Sequence, residues 1–108
     1  MGFVGHIPRR LLPDAMLVRV PTADGGLSDP VELDGVRFCM TQSASTDAHR
    51  SADAGSGEVF VDAASTDGAF EVPVGSRVEI RGVSYLVARC RRCETTNGDV
   101  HHWELVVR

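Results

Sequence analysis

From Arg77 to the C-terminus the chain alternates apolar and polar residues with a period of two, broken by two turn-forming segments, and this pattern restricts the fold more than any other. Successive side chains of a strand point to opposite faces, so Val78 and Ile80 share one face while Arg77, Glu79 and Arg81 share the other. Gly82 interrupts the alternation where a tight reversal needs a residue without a side chain. The next run, Val83 to Cys90, is rich in β-branched and aromatic residues, so the pair reads as a hairpin. Asn97-Gly98, inside the polar segment Glu94 to Asp99, supplies a second turn because both residues tolerate positive φ. In the last run Trp103, Leu105 and Val107 share a face opposite His102, Glu104 and Val106. Val72 to Arg108 is therefore predicted to form a three-stranded meander with Trp103 in the core.

Upstream, Ala15 to Val20 reads as a strand ended by Pro21 and the turn Asp24-Gly25-Gly26. Val31 to Met40 alternates on both sides of Gly35, but its apolar set moves from odd positions (Val31, Leu33) to even ones (Val36, Phe38, Met40). A parity change at a glycine predicts a β-bulge or a sharp bend. Glu58 to Asp62 forms a further short strand, and Ala63 to Gly68 turns it toward the meander. With 11 Gly and 5 Pro in 108 residues, no long helix fits and one domain suffices. The expected fold is all-β: a small antiparallel β-barrel of about six strands spanning 1–108, with an extended N-terminal arm (1–14) and a long flexible loop (41–57). In Val83 to Cys90 both faces look apolar, Val83, Tyr85 and Val87 on one and Leu86, Ala88 and Cys90 on the other. The second face must be covered by a local segment or by another subunit.

The arm His6-Ile7-Pro8-Arg9-Arg10-Leu11-Leu12-Pro13 is fenced by two prolines that disfavour a helix, and its Ile7, Leu11 and Leu12 must pack on the domain or on a neighbour. Thr41 to Gly57 consists almost entirely of Ser, Thr, Ala, Asp and Gly, with His49 and Arg50 its large side chains. Such a segment buries too little apolar surface to offset an ordering entropy of about 1 to 2 kcal/mol per residue. Arm and loop are both expected to become ordered only among neighbouring subunits.

The net charge of −4 argues against wrapping nucleic acid or coating an anionic membrane. Three cysteines do not close a disulfide framework and point to a reduced setting. The N-terminal apolar runs, cut by Pro13 and Arg19, are too short for a signal peptide or a membrane span, so a soluble, unexported chain is expected. Cys90-Arg91-Arg92-Cys93 followed by His101-His102 invites a zinc reading with Cys90, Cys93 and His101 as weak candidates. The spacing does not match a zinc finger, and adjacent histidines fall on opposite strand faces unless a bulge intervenes. Free thiols without metal or any other cofactor are the expectation. No nucleophile elbow, phosphate loop or HExxH helix is present, so no catalytic residue is assigned. Asp47, Asp53, Asp62, Asp67 and Glu71 read as solvated. Arg89, Arg91 and Arg92, with Arg81 nearby, are candidates for a basic interface patch.

The segments Ile7 to Pro13, Val31 to Phe38, Val59-Phe60-Val61-Asp62, the Val74 to Val87 hairpin and His101-His102-Trp103-Glu104-Leu105 together resemble the minor capsid proteins of tailed bacteriophages and prophages. That group is similar to the head-completion, or stopper, proteins of the head-to-tail connector. The resemblance implies a structural, non-enzymatic β-barrel subunit of the virion neck, assembled in the host cytoplasm as a homo-oligomeric ring, about twelve-fold. Portal and adaptor proteins would lie above it and tail proteins below, with packaged DNA passing through without sequence-specific binding and no membrane involved. Ile7, Arg9, Arg10, Leu11, Leu12, Leu86, Arg89, Arg91 and Arg92 would then face subunits or partners. Ser43, Asp47, His49, Arg50 and Asp53 would lie on the channel loop. The same architecture resembles tail-completion proteins, and a monomeric β-barrel binding module is the alternative from another class.

Overall fold

Six strands, β1 (Asp14–Arg19), β2 (Val31–Thr41), β3 (Ser56–Asp62), β4 (Arg77–Ile80), β5 (Val83–Glu94) and β6 (Val100–Val107), close into a barrel in the order β1-β2-β3-β6-β5-β4. The computed structural model describes residues 5–41 and 55–108. Every neighbouring pair is antiparallel, so two meanders, β1 to β3 and β4 to β6, are joined along the β3–β6 and β1–β4 seams. Closure leaves no free strand edge on the barrel. The inward faces supply the core: Met16 and Val18, Leu33, Val36 and Phe38, Val59 and Val61, Val78 and Ile80, Tyr85 and Val87, and Trp103, Leu105 and Val107. Val72, from the β3–β4 connection, is also fully buried.

Gly35 is the extra residue of the predicted bulge: Asp14 pairs with Val36 and Ala15 with Asp34. Its φ of +91° belongs to glycine, and a Cβ there would strike the Arg9 side chain, which lies across the bulge. Two further bulges were not legible. In β5 Val87 pairs with Val107 and Arg89 with Val106, which leaves Ala88 over and reverses the parity that follows. Cys90 thereby packs against the core and does not join Leu86 on the outer face, which corrects the doubly apolar reading: only Leu86 and Ala88 remain there, half-buried. In β6 the shift from Cys93↔His102 to Glu94↔Val100 leaves His101 over.

The β4–β5 reversal uses two residues in the left-handed region, Arg81 (φ 53°) and Gly82 (φ 79°), between the paired Ile80 and Val83. β3 starts at Ser56, earlier than Glu58, because Ser56 and Gly57 continue the ladder opposite Thr41 and Met40. Gly57 permits this approach, since a Cβ would lie 2.6 Å from the Phe38 ring. The rest of the predicted flexible loop, with Ser43, Asp47, His49, Arg50 and Asp53, lies outside the described residues.

The arm departs from expectation in two ways. Arg9–Leu11 forms one 3-10 turn, capped by an extended Pro8 (φ −62°, ψ 143°) whose carbonyl accepts the Leu11 N–H at 2.9 Å. The arm also packs on its own barrel: Leu12 is 2% exposed, whereas Leu11 is 43% exposed. Ordering of 5–13 therefore comes from contacts within one subunit, and Leu12 is covered rather than offered to a neighbour.

Candidate functional site

The polar side chains converge where the arm meets the ends of β3, β5 and β6. Asp62 closes β3 with no exposed surface. Its Oδ1 accepts the backbone N–H of Ile7 at 2.9 Å, and its Oδ2 accepts those of Ala64 (2.9 Å) and Ser65 (2.8 Å). His6 Nδ1 lies 3.0 Å from Oδ2. Burial pushes the carboxyl up, but the amides of Ile7, Ser65 and Ala64, together with His6, outweigh it and hold Asp62 below the ordinary aspartate value. The solvated role expected for Asp62 is thus overturned: it is the buried knot tying arm to barrel. Its sequence signal was an aspartate ending a strand before small residues, a setting for side-chain acceptance of the amides two and three positions on.

His6 stacks on His101 with ring centroids 5.0 Å apart and planes at 8°. The β6 bulge then turns His101 toward its neighbour, so the Nδ1 atoms of His101 and His102 sit 2.8 Å apart. His101 Nε2 is 2.8 Å from the Gly5 carbonyl oxygen, and His102 Nε2 is 3.0 Å from Glu104 Oε2. Cys93, paired with His102 across the β5–β6 ladder, places its Sγ 3.6 Å from the same Oε2. One polar chain therefore runs Gly5, His101, His102, Glu104, Cys93. The contact with His102 holds Glu104 below its usual range, with Cys93 adding to it and burial opposing. Burial and Glu104 push the Cys93 thiol up.

The CxxC pair is not brought together. Cys90 pairs with Leu105 on the core side and Cys93 with His102 on the outer side, and all three cysteines are free. Burial, followed by Glu71, raises the Cys90 thiol. Of the weak metal candidates, Cys90 is thus separated from Cys93, and His102 rather than His101 stands beside Cys93.

Of the predicted basic patch, Arg89, Arg91 and Arg92 stay together on β5, whereas Arg81 stands apart. Arg81 lies in the β4–β5 turn, at the opposite end of β5 from Arg92. It is held by Asp14 through Nε to Oδ1 and Nη2 to Oδ2, both 3.0 Å, and sits 5.2 Å from the Phe38 ring centroid. Arg92 bridges Glu71 (2.7 Å) and Glu94 (3.4 Å), and Trp103 Nε1 donates to Glu71 at 3.1 Å. Arg91 approaches Glu104 at 3.8 Å, whereas Arg89 is exposed. Glu71 and Asp67 are likewise ion-paired: Arg9 reaches Asp34 at 3.1 Å and Asp67 at 3.4 Å. Of the arm positions, Arg10 and Leu11 are exposed and Ile7 is half-buried. Leu86, also half-buried, pairs through its backbone with Arg108.

A family model described as minor capsid protein matches residues 24–107. No curated protein and no solved structure matches the chain.

Proposed function

The chain belongs to the minor capsid protein family, a phage virion family with a structural role, and from that premise we propose that it is a subunit of the head-to-tail connector. In this reading it is a head-completion, or stopper, ring below the portal and its adaptor, retaining packaged DNA and docking the tail. The family match over 24–107 carries the proposal. The geometry is compatible with it. A closed barrel cannot recruit neighbours by adding strands, so ring contacts would use side chains on its outer surface and the arm. Exposed Leu11 and Arg10, displayed by an arm that Asp62 and Arg9 fix in place, are suited to that task. Arg89 and Arg91 present a second outward set on β5, and half-buried Leu86 lies on the same strand. No helix among the described residues is long and apolar enough to cross a membrane.

Deleting the gene from the phage tests this directly. Heads that package DNA but leak it, or that accumulate without tails, are the expected result, with the protein located between portal and tail in complemented particles. Normal yields of tailed, infectious particles without the protein would end the connector reading.

A further inference from the structure

We propose that Cys93, His102 and Glu104 form a binding site for one Zn²⁺ ion on the outer face of the β5–β6 ladder. Cys93 and His102 are cross-strand partners, and Glu104 follows His102 by two residues on the same face. Sγ of Cys93, a ring nitrogen of His102 and a carboxylate oxygen of Glu104 all lie within 4.8 Å of one another, with His102 Nε2 3.0 Å from Glu104 Oε2. A tetrahedral zinc site, with Zn–S near 2.3 Å and Zn–N near 2.0 Å, sets neighbouring donor atoms roughly 3.3 to 3.6 Å apart, so small side-chain adjustments suffice.

Donor and acceptor roles along the polar chain point the same way. The Gly5 carbonyl only accepts, so His101 carries its proton on Nε2 and turns the Nδ1 lone pair toward His102. His102 then donates from Nδ1 and presents a bare Nε2 to Glu104 Oε2, 3.0 Å away. Facing lone pairs at that distance are reconciled by a proton or by a metal ion, and Cys93 Sγ, 3.6 Å from the same Oε2, adds the third donor that favours a metal. On binding, the Cys93 thiol releases its proton to solvent and ligates as thiolate. Arg91 approaches the other carboxylate oxygen, Oε1, which leaves Oε2 for the ion. His101 is a positioning residue, fixing the ring and tautomer of His102 as outer partners of metal-binding histidines do. The neighbouring group of His6, Asp62 and His101 is no rival, because the Asp62 oxygens already accept three backbone amides.

The test uses tag-free protein stripped with chelator and titrated with Zn²⁺ and, for its spectrum, Co²⁺. One ion per chain is expected, with a thiolate-to-cobalt charge-transfer band that Cys93→Ser abolishes and Cys90→Ser retains. His101→Phe should weaken binding about 10- to 100-fold. Zn²⁺ should also slow alkylation of Cys93 in the wild-type chain without affecting Cys39 or Cys90, a readout that needs no variant to fold. Absence of stoichiometric binding, binding that survives Cys93→Ser, or equal protection of all three thiols would each overturn the site, the first leaving a proton as the only cation between His102 and Glu104.

Discussion

Asp62 and Asp14 show what a single carboxylate does in this barrel. Both are held below the ordinary aspartate range: at Asp62 the amides of Ile7, Ser65 and Ala64 prevail over burial, and at Asp14 the Arg81 guanidinium and the Phe38 amide do so. A depressed folded-state value means that the unfolded chain binds protons more readily. Their stabilising contribution is therefore complete above the unfolded value of about 3.9 and is lost as pH falls through the folded values. Denaturant titrations should show stability level from about pH 7 to 5 and falling below about 4. Asp62→Ala should cost about 1 to 3 kcal/mol at neutral pH, since it leaves the part-buried amides of Ile7, Ala64 and Ser65 without their acceptor, and should flatten the acid limb. An unchanged midpoint would show that the arm does not depend on this residue. Trp103, 7% exposed and sharing the inward face with Leu105 and Val107, makes a comparable demand. Trp103→Ala should cost about 3 to 5 kcal/mol in the same assay.

Strand identity was legible in the chain and strand irregularity only partly so. Each of the six expected strands is present, with β3 beginning two residues early and β5 running on to Glu94, and the Asn97-Gly98 turn is formed, with Thr95 N–H donating to the Asp99 carbonyl at 2.7 Å. The bulge at Gly35 could be read because apolar parity changes at a glycine. That at Ala88 could not, because Leu86 to Cys90 is apolar on both faces except for Arg89 and parity carries no information there. The bulge at His101 hides beside a turn, and with it the meeting of His101 and His102, so the sequence offered Cys90, Cys93 and His101 where the fold assembles Cys93, His102 and Glu104. Nor did composition mark Arg81 as a left-handed turn residue. Its conformation is held by neighbours that the chain supplies from Asp14 and Phe38, far away in sequence. The β2 bulge yields a sharper expectation than these. Gly35→Ala places a Cβ at φ +91° and against Arg9, so it should both destabilise the barrel and release the arm. Hydrogen exchange would check this: faster exchange of the Ile7 amide, with β4 and β5 largely protected, is the predicted pattern, and uniform protection would mean that Arg9 does not depend on the bulge.

At the scale of the whole molecule, a barrel that satisfies its own strand edges and holds its own arm has the features of a chain that folds before it assembles. The core is continuous through all six strands, and Leu12 of the arm is buried without help from a neighbour. Some outward charges are already paired within the subunit, as with Arg92 between Glu71 and Glu94, and such exposed pairs contribute little to association. The expected behaviour is a folded monomer at micromolar concentration that joins a ring only on a preformed neck, where many weak contacts act together. Native mass measurement of the purified protein, followed by addition to DNA-filled heads isolated from a deletion phage, separates the two steps. Incorporation at a fixed copy number per head, with recovery of tail joining, is predicted. Removing the Ser/Ala/Asp-rich segment Ser43 to Asp53 should leave the isolated barrel's thermal stability intact, because that segment supplies almost no large apolar side chain to a core. If heads complemented with this shortened chain retain DNA and accept tails as well as wild-type heads do, the loop has no part in retention and the function rests on the barrel and arm alone.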